Sequence, residues 1–326
     1  MDELQKFLNR KKEIVKNWKT TGLLAGIENE FEQEQMALVL ENQRIDNELE
    51  VEARDNPEDK NITGYYPHFR RISIPLVRRM YNPKTFLGFK LVSVQTMMAP
   101  EHSFYYRDKY GNLKASAVRA KVRSTSVPIP PLRGGEPFTL DNEAKLVALC
   151  ANELMWEMNR EITGDLWTNA GSKFEHTYRS REHLEDYIRI AAARVNNRCG
   201  FSPNWIVTST DIAYSLVEKK KPEVTESVRP LPTYTGKLAN KWDVYDNPMW
   251  PDDRILIGFK GDAYTSGYFY CPYTPVFFNP GGATDSHWDY RIMTRYGKAM
   301  PDQMFYGKIK LEDYSSSQEE LEGNNG

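Results

Sequence analysis

The chain lacks the usual signs of a chemical site. Cysteine is scarce: Cys150, Cys199 and Cys271 stand alone, none of them in a CxxC pair. An odd count at wide spacing argues against a disulfide framework and for a reducing compartment. Histidine is scarce too. His68, His102, His176, His183 and His287 form no HExxH, no HxxxH pair and no group with neighbouring cysteines, so no metal site is expected from them. Charge of one sign is not in excess, with 43 Lys and Arg against 45 Asp and Glu. A protein that grips nucleic acid through phosphates has a basic excess or a basic face. The totals exclude the excess and leave a local patch open. Long apolar runs are also missing. No stretch approaches the length of a membrane span, and the N-terminal MDELQKFLNRKKEIVKNW alternates charged with apolar residues, unlike a signal peptide. A soluble chain made in a cytoplasm, with no membrane partner, is the expectation.

The motifs of catalysis are equally thin. TGKL (235–238) has a Gly-Lys pair without the upstream Gly or the following Ser/Thr of a phosphate-binding loop. RGGEP (133–137) and PGGAT (280–284) sit among prolines, where Gly-Gly more naturally makes a turn. No GxSxG elbow occurs. Glu153, Glu157 and Glu161 lie four residues apart on a helical segment and so share one face. A di-metal or acid/base site would need a Glu-x-x-His motif or a second acidic helix opposite. Neither is visible, and a solvated or intersubunit face is the better reading. The doublets Arg70–Arg71 and Arg78–Arg79 flank ISIPLV, where they could touch DNA but fit subunit salt bridges better. No catalytic, cofactor-binding or metal-binding residue is expected, and the chain does not read as an enzyme.

What is present is a folded body, with 40% apolar residues before Gly is counted and 27% charged, inside the globular range. Residues 1–60 are rich in Glu, Gln, Lys and Asn. Phe31, Leu38 and Ile45 recur at seven, and Met36, Val39 and Leu49 widen the stripe, which predicts an amphipathic helix. Two readings stay open: an arm docked on its own domain, or a helix meant for another subunit or a scaffold. VEARDNPEDKN (51–61) reads as a connector.

Beyond Tyr65 the pattern predicts a short helical or extended piece over 72–83 and strands over 89–97 and 103–108. A turn at 109–112, a half-exposed strand over 117–127 and a Pro-rich irregular connector over 127–137 follow. A long helix is expected from Thr139 or Asp141 to near Gly164, with Val147, Cys150, Leu154 and Met158 on one face and Lys145, Asn152 and Asn159 on the other. A second helix covers 181–199, with Leu184, Ile188, Ala191 and Val195 inward and Gly200 closing it. Strand 205–209 leads to a helix over 211–221, capped by Asp211 and stopped by Pro222. A loop-rich stretch then precedes strands at 241–246, 254–260, 267–272, 275–280, 289–297 and 304–313 and a polar tail.

Five segments, in order, resemble one family. They are NWKTTGLLAGIENEFEQEQMALVLENQ (17–43), LVRRMYNPKTFLGFKLVSVQTMMAP (76–100), ELMWEMNREI (153–162), ILIGFKGDAYTSGYFYCPYTPV (255–276) and IMTRYGKAMP (292–301). Their Glu-Asn-Gln, Val-Arg-Arg, Glu-x-Asn-Arg-Glu, Gly-x-Lys-Gly and Thr-Arg-Tyr-Gly landmarks are similar to those of the major capsid proteins of T-even-type, contractile-tailed bacteriophages.

The resemblance implies an α+β subunit of the Hong Kong 97-type capsid fold. It would have an N-terminal helical arm or propiece-like segment over 1–64, with the N-arm and first peripheral-domain strands over 65–100. An extended-loop hairpin and connector would follow over 101–137, then the spine helix and peripheral domain over 138–180. The axial domain would span 181–272, return strands of the peripheral domain 273–313, and the tail 314–326. It further implies self-assembly through hexameric capsomers into the head shell of a tailed phage, assembled in the host bacterial cytoplasm. A related vertex protein, a portal, a scaffold and decoration proteins would be partners, and packaged double-stranded DNA would be contacted non-specifically. A near-neutral chain suits a container around DNA better than a reader of it.

Three features depart from the family's pattern. The loop between YYRD and AVRAK is shorter. T-even relatives lose an N-terminal propiece after Leu/Ile-x-Glu, and this chain has no such triplet before Tyr65, the nearest being Val39-Leu40-Glu41. That leaves an internal retained arm open. No Lys–Asn cross-link pair is marked. A bacterial nanocompartment shell of the same fold is the alternative, and an unrecognised hydrolase a more distant one.

Overall fold

The computed structural model describes residues 3–55, 73–129, 140–178, 183–219, 230–283 and 288–313. The chain starts as a helical hairpin, α1 (Glu3–Thr20) and α2 (Glu30–Asp55). The turn between them uses Gly22 and Gly26 at φ +77° and +76°, a left-handed geometry that disfavours any side chain. Asn29 starts α2 by accepting the Glu32 N–H at 3.0 Å. Met36, Ala37, Leu38, Val39 and Leu40 are all fully buried. Five consecutive buried positions cover every direction around a helix, so this segment is a core helix enclosed on all sides. It packs on α1, on α3 (Ile74–Met80) and on strand β10 (Phe269–Ala283).

A single turn α4 (Gly88–Leu91) and a two-residue strand β1 (Ser93–Val94) follow. β2 (Glu101–Arg107) and β3 (Leu113–Arg119) form an antiparallel hairpin closed by Gly111 at φ +83°. β4 (Lys121–Ile129) leads towards α5 (Leu140–Asn169), whose 30 residues extend about 45 Å. The rest alternates: β5 (Ser172–Tyr178), α6 (Leu184–Cys199), β6 (Trp205–Thr208), α7 (Thr210–Leu216), β7 (Thr233–Leu238), β8 (Trp242–Asp246), β9 (Arg254–Gly258), then β10, β11 (Trp288–Ala299) and β12 (Tyr306–Asp313).

Two sheets organise these strands. The smaller has the order β1-β10-β11-β4, and the larger β5-β12-β9-β6-β8-β7. β5 runs parallel to β12 and β6 parallel to β8; the other neighbours in the larger sheet are antiparallel. α5 packs on β4 and β11, while α6 packs on β12, β9 and β5. One contiguous core runs from Trp18 and Leu38 through Leu154 and Ile188 to Ile257 and Tyr306, and a small satellite of Met97, Phe104, Val118, Phe269 and Cys271 sits under the hairpin. The α+β class expected from the sequence is the class observed.

Several expectations change. Residues 3–55 hold two helices rather than one stripe, and α2 runs on through 51–55, the start of the expected connector. The expected strand 89–97 is extended only in its second half: Phe89 and Leu91 are buried in a helical turn, Ser93 and Val94 form β1 beside β10, and the Gln95 and Met97 N–H groups continue along it to the Tyr270 and Pro272 carbonyls at 3.1 and 2.8 Å. The expected strands 267–272 and 275–280 are one long strand, because register shifts at Pro272/Thr274 and Thr274/Phe277 absorb the prolines. Pro128 lies inside β4, opposite Asp289. α5 passes through Gly164 because a buried Leu166 still rewards another turn, and Asn159, placed on its polar face, is fully buried. α7 starts at Thr210 after Ser209 and ends at Leu216. β5 and β7 were not expected, and β12 joins the larger sheet instead of returning with β10 and β11. The expected Pro222 stop, the 130–137 connector, the 56–61 connector and the tail lie outside the described residues.

Candidate functional site

The side chains that chemistry could have used are committed to structure. Glu161 accepts from the Tyr296 hydroxyl and from Lys298 Nζ at 2.5 Å. One turn on, Asp165 accepts from Lys298 Nζ at 2.6 Å and from the Tyr268 hydroxyl at 2.8 Å. Glu157 lies 3.5 Å from Arg160. Glu161 and Asp165 thus face a lysine and two tyrosines, not a second acidic helix. No group of three or more His, Cys, Asp or Glu placed to hold a metal occurs among the described residues.

Gly236 and Lys237 of the TGKL motif are strand residues of β7, with Lys237 3.3 Å from Asp243. Gly281 and Gly282 lie in β10, at a register shift before its end. His102 is half-buried, and burial, then Lys11, holds its pKa below the usual imidazole value. His68, His287, Arg70, Arg71 and the 133–137 motif fall outside the described residues.

The landmark residues are where the polar bonding concentrates. Glu41 accepts from the Trp18 indole at 3.1 Å, joining α2 to α1. Asn42 donates to the carbonyls of Met97 (2.8 Å) and Tyr273 (2.7 Å), and Gln43 accepts the Val276 N–H at 3.0 Å. Gln35 accepts the Thr96 N–H at 2.6 Å. One helix therefore satisfies backbone groups along β10 and just beyond β1, where an unpaired buried group would be costly. On α5, Asn159 accepts the Leu87 N–H at 2.9 Å and donates to the Thr85 carbonyl at 3.3 Å. Arg78 donates to the Leu23 carbonyl at 2.7 Å, closing on the α1–α2 turn. This is neither the DNA contact nor the subunit salt bridge that the sequence left open.

Lys260 of the Gly-x-Lys-Gly landmark donates to the Phe89 carbonyl and sits 3.5 Å from Glu32 on α2, which also lies 3.9 Å from Lys90. Burial lowers the Lys260 pKa to about 8 against the pull of Glu32. Gly258 of the same landmark has no room for a side chain, since a Cβ would stand 2.2 Å from the Trp205 ring. Asp46 on α2 lines a cleft of about 170 Å³ with Arg10, Lys11, Asn42 and Tyr273. Burial raises its pKa to about 6, opposed by Arg295.

The outward surface has a different character. Of the nine exposed large apolar side chains among the described residues, Tyr105, Tyr110, Leu113 and Val122 lie on the β2–β3 hairpin or directly after it, with Tyr110 76% and Leu113 55% exposed. A fifth, Tyr264, accepts the Arg107 N–H through its carbonyl at 2.8 Å, at the hairpin's flank. An apolar concentration on one projecting ribbon is the mark of a contact surface. Sequence alternation did not reveal it, because in a two-stranded ribbon both faces can be open to solvent.

A body tied by internal polar bonds, with its largest group of exposed apolar side chains on and beside one hairpin, fits a structural subunit that acts through contacts. The match to a family model is specific. The chain belongs to the family of the major capsid protein Gp23, matched over residues 137–324, more than half of its length. It is a structural subunit that self-assembles into a phage capsid shell. No curated protein matches the sequence. Among solved structures, a phage-related protein from Bordetella bronchiseptica RB50 is similar over 73% of this chain and 96% of its own, at 14% identity and a TM-score of 0.46. The virus-like particle from Pyrococcus furiosus is similar over 72% and 96%, at 9% identity and 0.48. A chain from Mycobacterium phage Bobi is similar over 70% and 91%, at 11% identity and 0.49.

Proposed function

We propose that this chain is the head-shell subunit of a T-even-type, contractile-tailed phage, with the Hong Kong 97-type fold, no enzymatic activity and hexameric capsomers as its first assembly. The observation that carries the refinement is the behaviour of the landmarks. Segments 17–43 and 76–100 lie outside the matched 137–324 span. Their landmark residues Asn42 and Arg78 nevertheless bond to distant backbone, at Met97, Tyr273 and Leu23. Asn159 and Lys260 of the later landmarks do the same at Leu87 and Phe89. Residues that fix a fold in this way are the ones a family retains as a set.

In this reading α5 is the spine helix and the hairpin 101–119 the short extended loop. The smaller sheet belongs to the peripheral domain, and the strands of 181–272 form the axial domain. β12 is counted with the axial strands, since it pairs with β9 and β5. The α1–α2 arm is retained in the mature shell because α2 supplies core. A portal, a scaffold, a vertex protein and decoration proteins complete the head in the virion, around non-specifically held double-stranded DNA.

Co-expression with the neighbouring scaffold and portal genes, followed by sedimentation velocity, tests this. Fast-sedimenting closed particles that contain the full-length chain are expected. Particles whose chain has lost residues 1–64 would overturn the retained arm, and a chain that stays monomeric with all partners present would overturn the reading as a whole.

A further inference from the structure

We propose that the outward face of α1 is the surface that meets the phosphate backbone of the packaged duplex DNA, an inference that rests on the shell reading above. The near-neutral total hides a split between two adjacent helices. α1 carries six basic side chains against two acidic ones, and α2 carries nine acidic against two basic. Part of the α1 charge serves the hairpin itself: Lys11 pairs with Glu34 at 3.1 Å, and Trp18 and Ile14 are buried towards α2.

Three of the others point away. Lys12, Lys16 and Lys19 are exposed, and none of them forms an ion pair among the described residues. Their spacing of four and three residues aligns them in one stripe. The stripe extends about 10 Å at 1.5 Å per residue. One DNA strand places a charge about every 3.4 Å along the axis, so the stripe meets about three phosphates. Glu13 is the one acidic side chain beside it, and Leu8, 42% exposed, lies one turn before Lys12. Three ammonium groups meet phosphates as point charges, and contacts to phosphate position a duplex without reading its sequence, which is what a container requires.

The test uses the full-length chain and a fluorescently labelled 25-base-pair duplex, with anisotropy read between 50 and 200 mM salt. K12Q, K16Q and K19Q are combined, and a control combines K237Q, K241Q and K310Q on the larger sheet. The slope of log K against log salt is expected to flatten by about 2–3 in the α1 variant, near 0.9 per phosphate contact, and to stay put in the control. An unchanged slope in the α1 variant, an equal change in the control, or no DNA binding by the unmodified chain would each overturn the proposal. A polyglutamate peptide is run in parallel. Loss of peptide binding with DNA binding intact would assign the stripe to an acidic protein segment instead and overturn the DNA contact. Negative-stain microscopy of the same variant separates the two levels: shells that form normally leave the shell reading standing whatever the anisotropy, whereas no assembly by unmodified or variant chains removes the shell reading itself.

Discussion

At the scale of single residues, stability rests on side chains that satisfy distant backbone. Asn42 serves two carbonyls at 2.8 and 2.7 Å from one amide nitrogen. Asn42→Ala leaves both without that donor and should cost about 1–3 kcal/mol, read as a lower midpoint in urea unfolding with an unchanged slope. Gly258→Ala drives a methyl into Trp205, and a loss of at least about 1–3 kcal/mol is expected from overpacking. Asp46 gives a pH signature. Its folded-state pKa is raised to about 6 by burial, so the folded state binds the extra proton between about 4 and 6, and stability falls as pH rises through that window. Asp46→Asn should therefore be more stable than the unmodified chain at pH 7.5, by about 1–2 kcal/mol after allowance for partial exposure, and should lose that advantage by pH 4. An unfolding midpoint difference that does not change with pH would contradict the assignment. Lys260 acts at the other end: with its pKa lowered to about 8, it is charged more readily in the unfolded chain, and stability rises as pH climbs from about 8 towards 10.5.

At the scale of elements, legibility in the sequence followed how local the determinants were. α6 was readable because Leu184, Ile188, Ala191 and Val195 keep a helical period and Gly200 takes φ +80° at its end. α2 was read as amphipathic, yet Met36 to Leu40 are buried on every side; periodicity reports a stripe and cannot report a helix enclosed by α1, α3 and β10. β5 is a strand because it lies alongside β12, more than 130 positions later, and nothing local in SKFEHTY announces that partner. The landmarks of the candidate site were legible as a pattern, but not their bonds, since Asn42 to Tyr273 spans 231 residues. Removing residues 1–64 would take away the fully buried segment of α2, and the truncated chain should be insoluble or lack a cooperative melt by circular dichroism. A soluble, cooperative truncated chain would mean that the arm is dispensable. The hairpin behaves oppositely. Tyr110 and Leu113 are exposed, so replacing both with Ser should change the melting midpoint by less than about 2 °C, consistent with a surface substitution, while reducing assembly measured by light scattering.

At the scale of the whole molecule, the account joins a rigid interior to a contact-bearing exterior. Two sheets, the long α5 and the N-terminal hairpin share one contiguous core. Polar ties from α2 and α5 hold segments that are far apart in the chain. Shells work by repeating modest contacts under closed symmetry, which requires that each subunit keep one shape and present complementary contact surfaces. Negative-stain electron microscopy of the purified recombinant chain, alone and with its scaffold and portal partners, tests this most directly. Sixfold rings, tubes or closed shells are the predicted result. Monodisperse monomers under every condition, from a chain that is folded by circular dichroism, would contradict it.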